Sequence, residues 1–134
     1  MKWLLLLLCS LANASEIDCL AKNIYYESRG EPEVGQFLVG FVTINRLKSK
    51  KFPNTICKVV KQRHQFSWYW DGKSDRPYNR EAWTKSKEIA QIVYNSRELD
   101  VSQYGLYFKA VYAKSTFFNK LKKLYNIGKH EFYE

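Results

Sequence analysis

The chain has 134 residues, of which 46% are hydrophobic, and it carries a formal charge of +9. This length suits one domain with its own core, and the absence of repeats and low-complexity tracts from the sequence excludes solenoid and tract-like proteins. The basic excess favours a polyanionic partner, which leaves nucleic acid, anionic lipid and an anionic cell-wall polymer as alternatives.

The first fourteen residues have the pattern of a secretory signal peptide. Lys2 supplies a short positive region, the apolar run WLLLLLCSLA is too short to span a bilayer comfortably, and Ala12-Asn13-Ala14 has the small-x-small form of a cleavage site. An uncleaved anchor is the alternative, which the short run disfavours. We therefore expect cleavage before Ser15, export to the periplasm or the extracellular space, and one domain over residues 15–134 with no stable membrane span.

The cysteine count changes with that cleavage, which would remove Cys9 and leave Cys19 and Cys57. Two cysteines in an exported chain predict one disulfide closing a loop of about 40 residues, worth about 3–4 kcal/mol in the chain-entropy model. Two buried free thiols are the alternative. Because no Cys-x-x-Cys pair exists and His64 and His130 are isolated from each other, we predict no metal and no cofactor.

Hydrophobic spacing predicts helices first and strands late. The expected helices run over residues 15–30 with Ser15 as the cap, over Glu33–Lys48, from the cap Thr55 to about residue 62, and from the cap Asn79 to about residue 97. The aromatic-rich segment 63–79 is expected to be a hairpin or an ordered loop, and segments 104–114 and 123–134 are expected to be strands. The predicted fold class is therefore α+β.

Glu27 is the first candidate for chemistry. It falls about 20° around the first helix from Leu20, on the flank of an apolar stripe. The negative end of the helix dipole and the apolar neighbours both disfavour a charged carboxylate, so they predict a raised pKa that suits a general acid near neutral pH. Pairing with Arg29 would oppose this shift, and an ordinary surface glutamate is the alternative.

Two further glutamates follow within six residues. Glu31 is expected to cap the free amides of the second helix, where an anion is favoured. Glu33, in the first turn of that helix, is expected to lie in solvent.

Aromatic and polar side chains outside the helical stripes predict a binding groove. Rings with neighbouring amide, hydroxyl and carboxyl groups are typical of a polysaccharide groove, whereas rings with lysines suit single-stranded nucleic acid, and core packing is the third alternative. The candidate substrate-binding residues are Gln65, Phe66, Ser67, Asp71, Tyr107 and Phe108. A glutamate, a histidine (His64 or His130) and an arginine could also support ribonuclease chemistry.

Several motifs in order resemble the spore cortex-lytic type of cell wall hydrolase family. The motifs are Tyr26-Glu27-Ser28-Arg29-Gly30-Glu31, Gly35-Gln36, Asn45-Arg46, Phe52-Pro53-Asn54-Thr55, QFSW…DG at residues 65–72, LYF at 106–108 and IGKHEFY at 127–133. Where many members have a Tyr-Asn-Pro segment after the LYF motif, this chain has Lys109-Ala110-Val111-Tyr112.

The resemblance implies a mostly helical, lysozyme-like α+β domain with a small late sheet. It implies cleavage of peptidoglycan glycan between N-acetylmuramic acid and N-acetylglucosamine, as a lytic transglycosylase with Glu27 as the acid. Peptidoglycan is then the expected partner and nucleic acid is not expected. Ser67 and Tyr107 are predicted to hydrogen-bond the substrate, Phe66 and Phe108 to act as ring platforms, and Asp71 to provide a second carboxylate if the enzyme is instead a hydrolytic muramidase.

Overall fold

A computed structural model describes the backbone of residues 2–62, 68 and 76–134 and the side chains of residues 12–62, 68 and 76–134. The α-helices are α1 (Lys2–Ser28), α2 (Glu33–Lys48), α3 (Ile56–Lys61) and α4 (Arg80–Asn95). The strands β1 (Tyr107–Ala110), β2 (Lys123–Ile127) and β3 (His130–Tyr133) follow, with 3-10 helices at Ser102–Tyr104 and Thr116–Lys120. The predicted α+β class is confirmed.

Side-chain caps begin the helices where the sequence predicts them. The Thr55 side chain accepts a hydrogen bond from the Lys58 amide at 3.1 Å, and the Asn79 side chain accepts one from the Ala82 amide at 3.0 Å. Each bond satisfies an amide that the first helical turn leaves without a partner. The bounds of α2 also agree with the prediction.

The predicted start of the first helix applies to the chain after cleavage, and in the uncleaved chain this helix begins earlier. Helix α1 begins at Lys2 and passes through Ser15 without a break, so Ser15 is not an N-cap in the uncleaved chain. Cleavage before Ser15 stays a prediction. No described helix contains an apolar stretch long enough to cross a bilayer.

Helix α1 is the central element of the helical core and packs against α2, α3 and α4. Leu20, Ala21 and Ile24, which the periodicity predicts to face inward, are fully buried. The predicted disulfide joins Cys19 to Cys57 with a Cα–Cα distance of 5.2 Å, and it ties α3 to α1. This bond and the packing around it fix the direction of α1, and therefore the place where α1 ends.

The strands form an antiparallel sheet in the order β1-β3-β2. The segment 123–134, which the sequence predicts to be strand-like, forms β2 and β3, a hairpin that turns at Gly128, whose φ is +57°. That conformation is costly for residues with a Cβ, so a glycine suits the turn. Phe132 of β3 is fully buried against Leu38 and Val42 of α2, and this contact holds the sheet beside the end of α1.

Candidate active site

The end of α1 and the sheet enclose an open cleft of about 330 Å³. The helix side of the cleft is the segment from Tyr26 to Glu31, which contains the predicted acid. The sheet side is formed by Ala110, Tyr112, Lys129 and His130. The chain order places these groups together because β3 packs on α2, which follows α1 directly.

The Glu27 carboxyl lies half-buried in this cleft. Burial raises its pKa from 4.5 to about 7, and the Arg46 guanidinium opposes part of that rise. Desolvation penalises the charged form of a carboxyl, and one cation does not compensate for it here. Near neutral pH, Glu27 is therefore divided between its acid and its carboxylate forms, as a group that both donates and accepts a proton requires.

Arg46, in the last turn of α2, is the cation that acts on Glu27. It is 3% exposed, and its Nε donates a 2.8 Å hydrogen bond to the Leu106 carbonyl. Its guanidinium carbon lies 5.1 Å from the Phe52 ring centre and 5.4 Å from that of Tyr107. Burial lowers the pKa of Arg46 to about 10, so the side chain stays charged at neutral pH.

The alternative that Arg29 pairs with Glu27 is wrong. Arg29 is exposed, and its guanidinium carbon lies 4.8 Å from the centre of the Tyr25 ring. Within the described part of the chain, Arg29 forms no ion pair. Its charge is therefore available at the mouth of the cleft.

The predicted capping role of Glu31 is also wrong. Pro32 precedes α2 and no side chain caps that helix. The Glu31 carboxylate instead accepts the Lys129 amide at 3.1 and 3.2 Å, and one oxygen lies 3.8 Å from Nδ1 of His130. Glu31 thus holds the β2–β3 turn against the end of α1 and closes one side of the cleft.

Glu33 lies in solvent as predicted. Its side chain is 59% exposed and forms a 3.6 Å ion pair with Lys85 of α4. Exposed pairs of this kind contribute little to stability.

His130 is buried, and its ring contacts those of Phe108 and Phe132 at centroid distances of 5.1 and 6.2 Å. Burial lowers the pKa of His130, which the nearby Glu31 carboxylate partly opposes. The imidazole is therefore neutral at neutral pH. His64 lies outside the described residues.

Comparisons with known proteins show the family to which the chain belongs. A family model described as Cell Wall Hydrolase matches residues 30–133. The spore cortex-lytic enzymes of Bacillus cereus and Bacillus subtilis are 31% and 33% identical over 118 and 121 residues, which cover 88% and 90% of this chain. The chain spans less than half the length of these relatives, 44% and 38% respectively.

Two solved structures are similar to this chain in both fold and sequence. The catalytic domain of the germination-specific lytic transglycosylase SleB from Bacillus anthracis is 31% identical with a TM-score of 0.74, over 89% of this chain and 93% of that one. The catalytic domain of the Bacillus cereus SleB protein matches with a TM-score of 0.73 and 31% identity, over 89% of each chain.

The chain belongs to the cell wall hydrolase family.

Among the predicted substrate-binding residues of this family member, only Tyr107 and Phe108 lie in the described part of the chain. Tyr107 lies beside Arg46, with its ring 5.2 Å from that of Phe117. The ring of Phe108 is partly buried against the two hydrophobic clusters of the core. Neither lines the Glu27 cleft, and their roles toward substrate stay predictions. Gln65, Phe66, Ser67 and Asp71 lie outside the described residues.

A series of linked side-chain contacts in the core next to Glu27 was not predicted from the sequence. Trp68 stacks on Tyr26 at 4.8 Å, and its Nε1 donates to Asn23 at 2.9 Å. Asn23, fully buried, donates in turn to Thr43 of α2 at 3.2 Å. These contacts fix the last turns of α1 and with them the position of the acid. A buried asparagine one turn before Glu27 is the sequence signal for it.

Sequence reasoning did not identify Arg46 as the cation near Glu27, although the family motif Asn45-Arg46 contains it. Asn45 donates to the carbonyls of Val101 and Gly105 at 2.8 and 2.9 Å, beside the bond from Arg46 to Leu106. A polar pair on a buried helix face indicates a structural or electrostatic role. Elsewhere, the described residues contain no group of three or more His, Cys, Asp or Glu side chains that could hold a metal ion.

Proposed function

We propose that this protein cleaves peptidoglycan glycan strands between N-acetylmuramic acid and N-acetylglucosamine, as a lytic transglycosylase with Glu27 as both acid and base. The observation that carries the proposal is the Glu27 carboxyl, which lies in an open cleft with its pKa raised to about 7. Such a group donates a proton at neutral pH and then accepts one without a second carboxylate.

Similarity to known enzymes supports the substrate class. The chain aligns over its length with the catalytic domain of a lytic transglycosylase and with spore cortex-lytic enzymes. The formal charge of +9 suits an anionic wall polymer. Export past the inner membrane, as the predicted signal peptide implies, would bring the enzyme to this substrate.

The reaction proceeds in two steps at the Glu27 carboxyl. Protonated Glu27 donates its proton to the glycosidic oxygen, the bond from that oxygen to the muramic acid C1 breaks, and an oxocarbenium-like centre develops. The Glu27 carboxylate then accepts the proton of the muramyl C6 hydroxyl while that oxygen bonds to C1. The products are a free N-acetylglucosamine hydroxyl and a 1,6-anhydro-muramic acid end, and Glu27 regains its proton.

Glu31, the second carboxylate among the described residues of the cleft, already accepts a hydrogen bond from the backbone. This favours a reaction that uses one carboxylate. Both oxygens of Glu31 accept the Lys129 amide. Glycosidases that use water instead have a second carboxylate across the sugar ring. A hydrolytic muramidase is therefore the second candidate only if Asp71, outside the described residues, lies opposite Glu27.

Two other classes remain outcomes of the test. A wall-binding module without activity would not need an acid held near neutral pH in a cleft. A ribonuclease would need a histidine that titrates near neutral pH; burial lowers the pKa of His130, and His64 lies outside the described residues.

The test is digestion of purified peptidoglycan with the wild-type protein and with Glu27→Gln, followed by mass spectrometry of the fragments. Anhydro-muropeptides from wild type, absent with Glu27→Gln, are the expected result. Reducing ends would instead indicate the muramidase, and binding without fragments the wall-binding module. RNA degradation with no glycan product would overturn the proposal.

A further inference from the structure

The outer rim of the Glu27 cleft carries an exposed ring and two cations that the reaction itself does not use. Tyr112, in the turn after β1, is 79% exposed and lines the cleft. Arg29 and Lys129 line the same cleft and are also exposed. The exposed ring lies at the mouth of the cleft, where it can stack on the apolar face of a bound sugar.

Backbone contacts hold these three residues on one rim. The Val111 amide donates to the Lys129 carbonyl at 2.8 Å, which joins the turn carrying Tyr112 to the β2–β3 turn. The Lys129 amide is held by Glu31, two residues after Arg29. The ring and the two cations therefore have fixed backbones, and only their side chains need to adjust to a ligand.

The charge of the rim is positive. Arg29 and Lys129 form no ion pairs with any other residue that the structure describes. Glu31 and the ionised fraction of Glu27 bear the opposing charge, and the Glu31 oxygens face the Lys129 amide and His130. A carboxylate entering the cleft would thus meet two cations that form no ion pair with a described residue, one of them a guanidinium that can bind it with two hydrogen bonds.

The rim also has room for a bulky ligand. A Cβ added at Gly30 would meet no atom within 4 Å, so that part of the cleft opens to solvent. Arg29 also lines a neighbouring depression at the start of α4, whose charged side chains are Lys85 and the glutamates Glu81 and Glu88. A substituent on a sugar in the cleft could extend past Arg29 into this depression.

We propose that Tyr112, Arg29 and Lys129 form a subsite for muramic acid that bears a carboxylate, in which the ring packs on the sugar and the cations bind the carboxylate. This subsite rests on the function proposed above and adds a preference for anionic over neutral glycan. The carboxylate can come from the lactyl group of muramic acid or from its peptide stem. Tyr112 lies in the segment where this chain departs from the Tyr-Asn-Pro pattern of similar proteins, so the ring contact is particular to this chain, whereas Arg29 and Lys129 lie in motifs that the chain shares with the family.

The test measures binding by calorimetry on the Glu27→Gln protein, so that cleavage is not needed. The probes are neutral chitotetraose, a peptide-free tetrasaccharide of alternating N-acetylglucosamine and N-acetylmuramic acid, and the same tetrasaccharide with peptide stems. The muramyl probes should bind about 3–10-fold more tightly than chitotetraose, as two exposed ion pairs allow. A gain already present in the peptide-free probe identifies the lactyl carboxylate, and a gain limited to the third probe identifies the stem.

Variants separate the two contributions. Adding Arg29→Gln and Lys129→Gln should bring the affinity ratio between muramyl and neutral probes close to one. Tyr112→Ala should weaken all three probes about 3–10-fold, because it removes a ring contact that does not depend on charge. Tyr78→Ala, which removes a ring that is 74% exposed but does not line the cleft, and Lys58→Gln on α3 are the matched controls and should change nothing.

Equal affinity for all three probes, or a ratio that the charge variants leave unchanged, would overturn the subsite. The wild-type digestion separates this failure from failure of the proposed function. Glycan cleavage without discrimination between probes refutes the subsite alone. Discrimination in binding without any glycan product refutes the proposed function and leaves the subsite standing.

Discussion

Two regions of this molecule hold a carboxylate near a cation, and they shift its pKa in opposite directions. At the end of α1, burial raises the pKa of Glu27 to about 7 although Arg46 is nearby. On β3, hydrogen bonds from Lys109 and Tyr133 lower the pKa of Glu131 to about 2. Those bonds measure 2.8 and 2.7 Å, and Lys123 lies 3.5 Å away.

The difference lies in direct contact with donors. Glu131 has three donors within hydrogen-bonding distance, Lys109, Tyr133 and the more distant Lys123, which stabilise its charged form beyond what desolvation costs. Among the described residues, the one group that favours charged Glu27 is Arg46, a buried cation whose Nε donates to the Leu106 carbonyl. A carboxylate fully compensated by donors contributes to stability but is a poor acid at neutral pH. A carboxylate whose charge is only partly compensated by donors is costly to ionise, and its raised pKa suits catalysis.

The largest expected effect is on activity. Glu27→Gln keeps the shape of the side chain but removes the proton that the reaction transfers, so glycan cleavage should fall about 10²–10⁴-fold. The rate of muropeptide release from peptidoglycan measures this. Glu33→Gln, an exposed glutamate six residues later, is the control and should retain wild-type activity. Comparable losses in both variants would contradict the assignment.

The second effect is on stability, and its sign depends on pH. Because the folded pKa of Glu27 is above 4.5, its contribution is complete below pH 4.5 and is lost as the pH rises to about 7. Above pH 7 the folded protein contains a charged, half-buried carboxylate. Glu27→Gln should therefore raise the free energy of unfolding at pH 8 by about 1–3 kcal/mol and change it little at pH 4.

Urea denaturation of both proteins at the two pH values measures this gain. Destabilisation by Glu27→Gln at pH 8 would mean that Glu27 is compensated in the manner of Glu131.

A third effect tests the cation. Arg46→Gln removes the charge that opposes the rise in the pKa of Glu27, so the alkaline limb of the activity profile should move up by roughly one pH unit. Arg46→Lys retains the charge and should leave the limb near its wild-type position. Circular dichroism checks that the lost bond to Leu106 has not unfolded either variant. An alkaline limb at the same pH in both variants would show that the charge of Arg46 does not act on the pKa of Glu27.

The smallest effect concerns Glu131. Its lowered pKa means that its contribution to stability is present above pH 4.5 and is lost as the pH falls toward 2. Glu131→Gln should lower the Tm at pH 7 by a few degrees and have no effect at pH 2. Lys109→Gln should reproduce part of the loss. A Tm difference that persists at pH 2 would point to packing as the cause.

Local chemistry made much of this fold predictable. Thr55 and Asn79 cap helices through bonds within their own turn, and the apolar spacing around Leu20 and Ile24 determines which face of α1 is buried. The position of Glu27 on the flank of that face could therefore be predicted from periodicity. The family motifs then predicted its role.

What sequence reasoning missed depends on contacts between distant segments. The charge that acts on Glu27 comes from Arg46, nineteen residues later on another helix, and not from neighbouring Arg29. Glu31 has the right place to cap α2, yet the β2–β3 turn, 98 residues away, offers it an amide. Local rules cannot rank these partners because the packing of the sheet on α2 decides which ones come within reach.

The most direct test of the central claim is an NMR titration of the Glu27 side-chain carboxyl, assigned by its loss in Glu27→Gln. The account predicts a midpoint near pH 7, with Glu131 titrating near pH 2 in the same spectra. A Glu27 midpoint near its ordinary value of 4.5 would contradict the claim that burial at the end of α1 holds an acid ready for catalysis.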